Sequence, residues 1–337
     1  MTDLSPAKIM QLGTGFFGSR VLLSAVELDV FSSLAECPLS LTDLQHRLGL
    51  HPRSAADFLD ALVSLGLLDR QGDGPGAVYA NTAESALFLV SSSPEFRGGI
   101  LKMAGRRLYR DWAALTEKLR NGNMGSDGAS DAFAKLYADL EGQQEFMDAM
   151  RSVQRRNFEL FADRFDFSPY RSVCDVGGAD ASLSIAIARR WPHLRCTSFD
   201  LPAVTEIATK RIAAENCSDR VRAVAGDFSR QALPVAEVIL MGNVLHDWDF
   251  ETKLSLIGKA FEALPDAGAL VVIEDVIDDA RRENAQGLLM SLNMLIETPG
   301  GYNFSFAQFT NWTLGAGFAR TERIELEGSS AALIAYR

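Results

Sequence analysis

Two rhythms divide the chain. Up to about residue 100 the apolar positions recur at helical spacing. In RVLLSAVELDVFSSL, Leu22, Val26, Val30 and Leu34 fall on one stripe, which predicts a buried helix face. The stretch LSLTDLQHRLGLHPRSAADFLDALVSLGLLDRQGDGPGAVYANT predicts a short helix begun by Thr42 or Asp43 and stopped by Gly49. A second helix follows Pro52 and carries Phe58, Leu59, Leu62 and Leu65 inward. A hairpin then turns on DRQGDGPG and ends in AVYANT, so the layout is that of a winged helix. Connecting helices come next, broken by the Gly/Ser/Asn run NGNMGSDGAS. From Arg171 the rhythm changes. SVCDV, RCTSFD, RVRAVAG, EVILMG and ALVVIED read as strands, and helical stretches such as Leu183–Arg190 and Leu254–Ala263 lie between them. Strand–helix alternation predicts an α/β fold with a mostly parallel sheet covered on both faces. The tail RTERIELEGSSAALIAYR departs from it, with two strands joined by a short EGSS turn at the sheet edge.

Length and composition sharpen this picture. A chain of 337 residues is too long for one ordinary core and suits two domains. The boundaries expected are 1–100 for the winged-helix-like part, 101–168 for connecting helices and 169–337 for the sheet domain. A hydrophobic share of 47% with 23% charged residues is that of a soluble globular protein. No signal peptide and no membrane span are expected, which makes the cytoplasm the default location. The four cysteines are scattered without a CxxC pair, so neither a metal site nor a disulfide framework is expected. The net charge of -11 argues against nucleic acid as a partner. The candidate recognition helix offers Asp57 and Asp60 with only Arg53 to offset them, which argues the same way against a DNA-binding regulator. The winged helix therefore reads as a packing module that buries its surplus apolar surface on a second subunit.

The stretch SVCDVGGADASLSIAIA has the strand–glycine turn–helix build of a nucleotide loop. The dinucleotide pattern GxGxxG fails, because Gly177, Ala179 and Ser182 occupy its three glycine positions. Asp180 near the helix start disfavours a pyrophosphate. A phosphate-free nucleoside cofactor bearing a cation fits better, and S-adenosyl-methionine is one. Alanine in place of glycine is tolerable where φ is negative. Three acids then stand at successive strand ends. Asp175 suits the cationic part, Asp200 can accept from ribose hydroxyls, and Asp227 can accept from an adenine amino group while Phe228 packs on the ring. Gly177, Leu201, Gly226 and Asn243 complete the expected cofactor set.

The fourth strand runs into NVLHDWDFET and places His246 on the same sheet edge. Asp249 reads as the N-cap of the next helix, and Asp247 suits either a cap or the site. ALVVIED ends in Glu274 and Asp275, which a two-residue period sends to opposite faces. One of the two can point at His246 and fix its tautomer, leaving the other for solvent or a helix cap. Methyl transfer to a phenol, of pKa about 10, needs a nearby base, and an imidazole suits that task. LLMSLNMLIETPGGYNF reads as a helix and loop over a substrate, with Met290, Asn293 and Met294 as lining candidates. Phe146, Met150 and Asn157 are further candidates from the connecting helices.

Together DVGGADA, FDLP, GDF, LHDWD and VVIED resemble the two-domain S-adenosyl-methionine-dependent O-methyltransferases, over nearly the whole chain. The resemblance implies a Rossmann-like sheet with an antiparallel last strand and an N-terminal dimerisation domain. It implies a homodimer in secondary metabolism, with an aromatic or polycyclic small molecule as substrate. It further implies His246 as general base, Glu274 as its orienting acid, and Asp200, Asp227 and Phe228 around the nucleoside. Two departures stand out. Ala179, Asp180 and Ala181 replace the family's DVGGGTG pattern, and Asn303 in GGYNFS stands where GGRERT has the Glu that is a second partner of the histidine, which makes Asn303 the third catalytic residue expected. The second departure leaves room for C- or N-methylation, or for a reaction that does not transfer the methyl group.

Overall fold

A computed structural model describes residues 4–123 and 140–337. The chain forms two compact units. One comprises Met1–Asp111 with Asp148–Val153, and the other Trp112–Met147 with Gln154–Arg337. The predicted break at NGNMGSDGAS lies outside the described residues from Met124 onward.

In the first unit the expected stripe is carried by two helices. Phe16–Glu27 ends where Asp29 turns left-handed at φ 56°, and Val30–Ser33 resumes beyond it. Val26, Val30 and Leu34 are buried, and Leu22 is half-buried. Ser40, rather than Thr42 or Asp43, caps the helix Leu41–Leu48 by accepting the Asp43 N–H at 3.1 Å. Gly49 stops that helix in the left-handed region, at φ 64°. Pro52 opens the helix Pro52–Ser64. Leu59 and Leu62 enter the core and Phe58 is half-buried, but Leu65 lies past the last helical turn and is exposed. Strands β1 (Leu39–Ser40), β2 (Leu68–Gln71) and β3 (Val78–Asn81) form an antiparallel sheet in the order β1-β3-β2, completing the wing. Asp60 of the would-be recognition helix accepts from Arg70 and from the Tyr79 hydroxyl, each at 2.8 Å. That acid ties helix to hairpin.

One expectation about the N-terminus needs correcting. Ala7–Glu27, two helices separated only by Gly15, is long and apolar enough by composition to cross a membrane. Ile9, Leu12, Phe16 and Phe17 stand exposed in the single chain, whereas Leu23, Ala25 and Val26 toward the end of that stretch are buried.

The second unit is built on a seven-stranded sheet. In chain order its strands are β4 (Ser172–Val176), β5 (Arg195–Asp200), β6 (Val221–Ala225), β7 (Val238–Gly242), β8 (Ala269–Asp275), β9 (Arg320–Glu325) and β10 (Ser330–Tyr336). Across the sheet they run β6-β5-β4-β7-β8-β10-β9. The first five are parallel, and β10 pairs antiparallel with both β8 and β9, as the tail predicted. β7 and β8 are buried on both faces, which is why VILM and ALVVI read as unbroken apolar runs. Alternate residues of the central strands feed two cores. Val173, Leu240 and Val271 enter one, while Cys174, Ile239 and Val272 enter the other. The chain moves outward from β4 in both directions. The crevice at the carboxyl ends of β4 and β7 is therefore the topological switch point, where ligands sit in open parallel sheets.

Candidate functional site

All the strand-end residues singled out from the sequence gather along this edge. The loops that hold them are laced together by backbone bonds. The N–H of Gly177 donates to the Phe199 carbonyl at 2.9 Å, that of Gly226 to the Asp200 carbonyl at 2.8 Å, and that of Asn243 to the Ile273 carbonyl at 2.9 Å. Gly177 and Asn243 both adopt positive φ, at 69° and 53°, so each strand ends in a sharp turn.

Asp175 is buried on β4 and accepts from the Ser184 hydroxyl at 3.0 Å. Burial pushes its carboxyl up to about 7 despite that bond, and neighbouring Asp200 adds to the rise. Asp200 accepts the N–H of Ala179 at 2.9 Å and that of Leu201 at 2.7 Å. Burial lifts it to about 6, with those two donors pulling the other way. Asp227 is less enclosed. Burial raises its pKa, but the hydroxyl and N–H of Ser229 and the charge of Arg230 outweigh this and bring it below the usual value. Phe228 meets Trp248 edge to face, with ring centroids 5.6 Å apart.

A phosphate-free cationic nucleoside fits this edge on two structural grounds. Asp175 and Asp200 are carboxyls whose burial the protein alone does not offset, and a cation or hydroxyl donors would do so. The buried hydroxyls of Ser182 and Ser198 have no partner among the described residues, and both lie at the loop. A Cβ on Gly178 would stand 2.3 Å from the Ser198 Oγ, so the loop must pass there as glycine.

The alanines of this loop carry a correction. The expectation was that Ala would be tolerated at negative φ, yet Ala179 and Ala181 adopt φ of 47° and 64°. Alanine in the left-handed region costs about 1–2 kcal/mol. The half-buried Ala179 loses little with its methyl, whereas Ala181 is fully buried. Ala179→Gly should therefore stabilise the protein by about 0.5–1 kcal/mol in chemical denaturation, while Ala181→Gly stays near neutral because the lost methyl burial, about 0.8 kcal/mol, offsets the relief.

His246 sits in a single tight turn, Leu245–Asp247, directly past β7. Its Nδ1 lies 2.9 Å from Glu274 Oε2, a close ion-pair contact that is not a straight hydrogen bond. Glu274 Oε1 accepts the His246 backbone N–H at 3.2 Å, so one carboxylate grips both ring and main chain. His246 Nε2 lies 3.4 Å from Asp247 Oδ1. Burial pulls the imidazole down, but the charges of Glu274 and Asp247 outweigh this and lift it to about 9. Asp247 is itself pushed up to about 7, chiefly by burial, with Glu274 and Glu297 adding and His246 and Lys253 opposing.

The pleat resolves the choice between Glu274 and Asp275. Glu274 faces His246. Asp275 serves neither as a helix cap nor as a free solvent group, because it accepts the hydroxyls of Ser329 at 2.6 Å and Ser330 at 2.8 Å and pins the terminal hairpin. Asp249 caps the helix Phe250–Ala263, accepting the Thr252 N–H at 2.9 Å. Asn303 does not bond the imidazole: its amide donates to the Asp275 carbonyl at 2.7 Å, and its Oδ1 is buried without a partner among the described residues. Gly301 explains how that loop closes on the site. A Cβ there would stand 2.5 Å from the His246 carbonyl, so only glycine lets the two segments meet.

The substrate candidates divide. Met290 is half-buried and Met294 buried on the helix Ala285–Glu297. Asn293 on that helix has its amide spent, accepting from the Trp112 indole at 2.9 Å and donating to Glu297. Asn157 is likewise occupied, accepting the Glu327 N–H at 3.0 Å and donating to Gln154 at 3.2 Å. Neither asparagine has polar capacity left over comparable with that of Asn303. Phe146 and Met150 are half-buried on the helix Leu140–Arg164, Met150 within the first unit. Sequence reasoning missed Lys253, a fully buried lysine beside this site. Its signal was a charge on the inner face of an otherwise amphipathic helix.

Residues 112–319 match the family model of an O-methyltransferase domain, and residues 10–91 that of an O-methyltransferase dimerisation domain. The chain is 39% identical to the tetracenomycin polyketide synthesis 8-O-methyl transferase of Streptomyces glaucescens, over 96% of this chain and 94% of that one. It is 36% identical to an N,N-dimethyltransferase of Streptomyces rimosus, over 87% and 86% of the two chains. Among solved structures, human N-acetylserotonin methyltransferase in complex with S-adenosyl-methionine superposes with a TM-score of 0.92 at 28% identity, covering 100% of this chain and 99% of that one.

Proposed function

The chain belongs to the O-methyltransferase family, and from that premise we propose that it methylates a hydroxyl of an aromatic or polycyclic small molecule with His246 as the base. S-adenosyl-methionine is the cofactor, and it supplies an electrophilic methyl on a sulfonium. Asp175, Gly177, Asp200, Leu201, Gly226, Asp227, Phe228 and Asn243 are the residues assigned to hold it. Met290 and Met294 are assigned to the apolar wall of the substrate site, with Phe146 as an outer candidate. Asn157 and Asn293 serve the framework.

The observation that carries this reading is the buried Glu274 carboxylate 2.9 Å from His246 Nδ1. An acid there keeps the proton on Nδ1 and leaves the Nε2 lone pair for the substrate. The phenol, of pKa about 10, gives its proton to Nε2 as its oxygen becomes nucleophilic. The imidazolium so formed is stabilised by Glu274 on one side and Asp247 on the other. An imidazole lifted to about 9 is closely matched to a phenol, and kcat/KM should accordingly climb with pH until the ring is neutral. Nitrogen methylation is the weaker reading, because a neutral amine already presents a lone pair and needs no proton removed before attack.

The exposed apolar face of Ala7–Glu27, within a dimerisation domain, supports a homodimer in which a second copy covers it. Incubation with cofactor labelled in its methyl group and a panel of phenols tests the function. Label in an aryl methyl ether together with demethylated cofactor is expected, and cofactor bound but never consumed would overturn it.

A further inference from the structure

The helix Phe250–Ala263 begins just after the turn that bears His246, and its fourth residue is Lys253. The side chain is fully buried. An ammonium removed from water is costly unless other groups replace its hydration. Here the Trp248 carbonyl accepts from Nζ, and the Tyr302 ring lies beneath it with its centroid 3.6 Å away. The Phe304 ring is 6.0 Å off. The cation is therefore wedged between the two segments that meet at the site, 246–249 and 301–304. Among the described residues no carboxylate stands at ion-pair distance from it, so its charge is not spent on one partner.

The surroundings are acidic. Glu274 faces His246 from β8, with Asp275 acting on it only by charge from the strand's other face; Asp247 comes from its own turn and Asp249 from just beyond, and Glu297 of the helix Ala285–Glu297 bears on Asp247. Asp249 is committed to its helix cap and Asp275 to two serines. Glu274 and Asp247 are left against a single imidazole. Burial draws Lys253 down to about 8, while Glu274, Asp247 and Asp249 hold it up, so the ammonium is charged at neutral pH.

We propose that Lys253 is a positioning residue of the reaction: a buried ammonium, seated on Tyr302 and the Trp248 carbonyl, that offsets the carboxylates around His246 and sets the pH range in which the imidazole is free to accept a proton. This rests on the reading of His246 as the base. Lys253 and His246 lose their protons over overlapping pH ranges, so they titrate as a coupled pair, and removing the charge that Lys253 carries raises the proton affinity of the acids and bases near it.

The test compares Lys253→Met, Lys253→Arg and His246→Ala with the parent enzyme. Methionine matches the length of the buried stem and should fold, since an apolar replacement of a buried charge is commonly neutral or stabilising. The acid limb of the kcat/KM profile should move up by a few tenths to about one pH unit in Lys253→Met and move down in Lys253→Arg, whose guanidinium keeps its charge over the whole range in which His246 titrates. The His246 ring, one of only four histidines, should shift its NMR titration by the same amount. Activity lowered equally at every pH, with the limb and the ring titration unmoved, would reduce Lys253 to packing and overturn the proposal. His246→Ala separates the two claims. Full activity in that variant overturns the base, while the ring titration in Lys253→Met still decides whether Lys253 governs the charge of His246.

Discussion

His246→Ala lowers kcat/KM by about 10²–10⁴-fold on a phenol of ordinary acidity, with cofactor affinity retained. The loss follows from the geometry at the end of β7. The ring is buried and Glu274 grips it from the Nδ1 side, which leaves the Nε2 side to take a substrate proton in the proposed mechanism. Alanine leaves the phenol to ionise by itself, and the deficit should therefore shrink as the substrate pKa falls. Glu274→Gln is the companion variant. It keeps the volume but removes the charge that favours imidazolium, so the acid limb should move to lower pH while the maximal rate falls. Steady-state kinetics over a series of phenols, with cofactor binding followed by calorimetry, checks both. A uniform loss across the series, independent of substrate acidity, would assign His246 to packing beside Trp248.

Asp175→Asn produces the second large effect, and its two consequences have opposite signs. In the native chain the carboxyl is lifted to about 7 by burial, well above its value in an unfolded chain. Native protein therefore holds this proton where unfolded protein has released it, and stability falls as pH rises from about 4 to about 7. Asparagine removes the charge and keeps an oxygen for the Ser184 hydroxyl. Without cofactor, the variant should be more stable than the parent by about 1–3 kcal/mol at pH 8 and indistinguishable from it at pH 4. Added cofactor should stabilise the parent and leave the variant unmoved, because the acid that suits a cation is gone. Denaturant melts at the two pH values, with and without cofactor, measure all of this. A variant less stable than the parent at pH 8 would mean that the ionised carboxylate has a partner strong enough to offset its burial.

Much of this was legible in the chain because it follows from local periodicity. Five apolar runs alternating with helices fix a parallel sheet, and an apolar tail split by EGSS fixes an antiparallel edge. Asp175, Asp200, Asp227 and His246 are readable as candidate site residues because each stands at or just past the end of a strand, and parallel strands bring their ends to one edge. Where periodicity offers two answers, the sequence stops. Glu274 and Asp275 point to opposite faces, but which face holds the histidine depends on how β8 pairs with β7 and β10.

Backbone dihedrals and long-range partners were decided by tertiary structure alone. Ala179 and Ala181 sit at positive φ because the loop is held at both ends, by the Ala179 bond to Asp200 and by the helix that starts at Ser182. Nothing in a short sequence window encodes that constraint. Asn303 turns to the Asp275 carbonyl, and Lys253 finds Tyr302, through contacts 28 and 49 positions apart in the chain. By itself the sequence determined which residues could reach the sheet edge, since alternation of side chains is a property of a single strand. Which of them meet there was decided by packing, since a buried charge settles wherever the folded chain leaves it a partner.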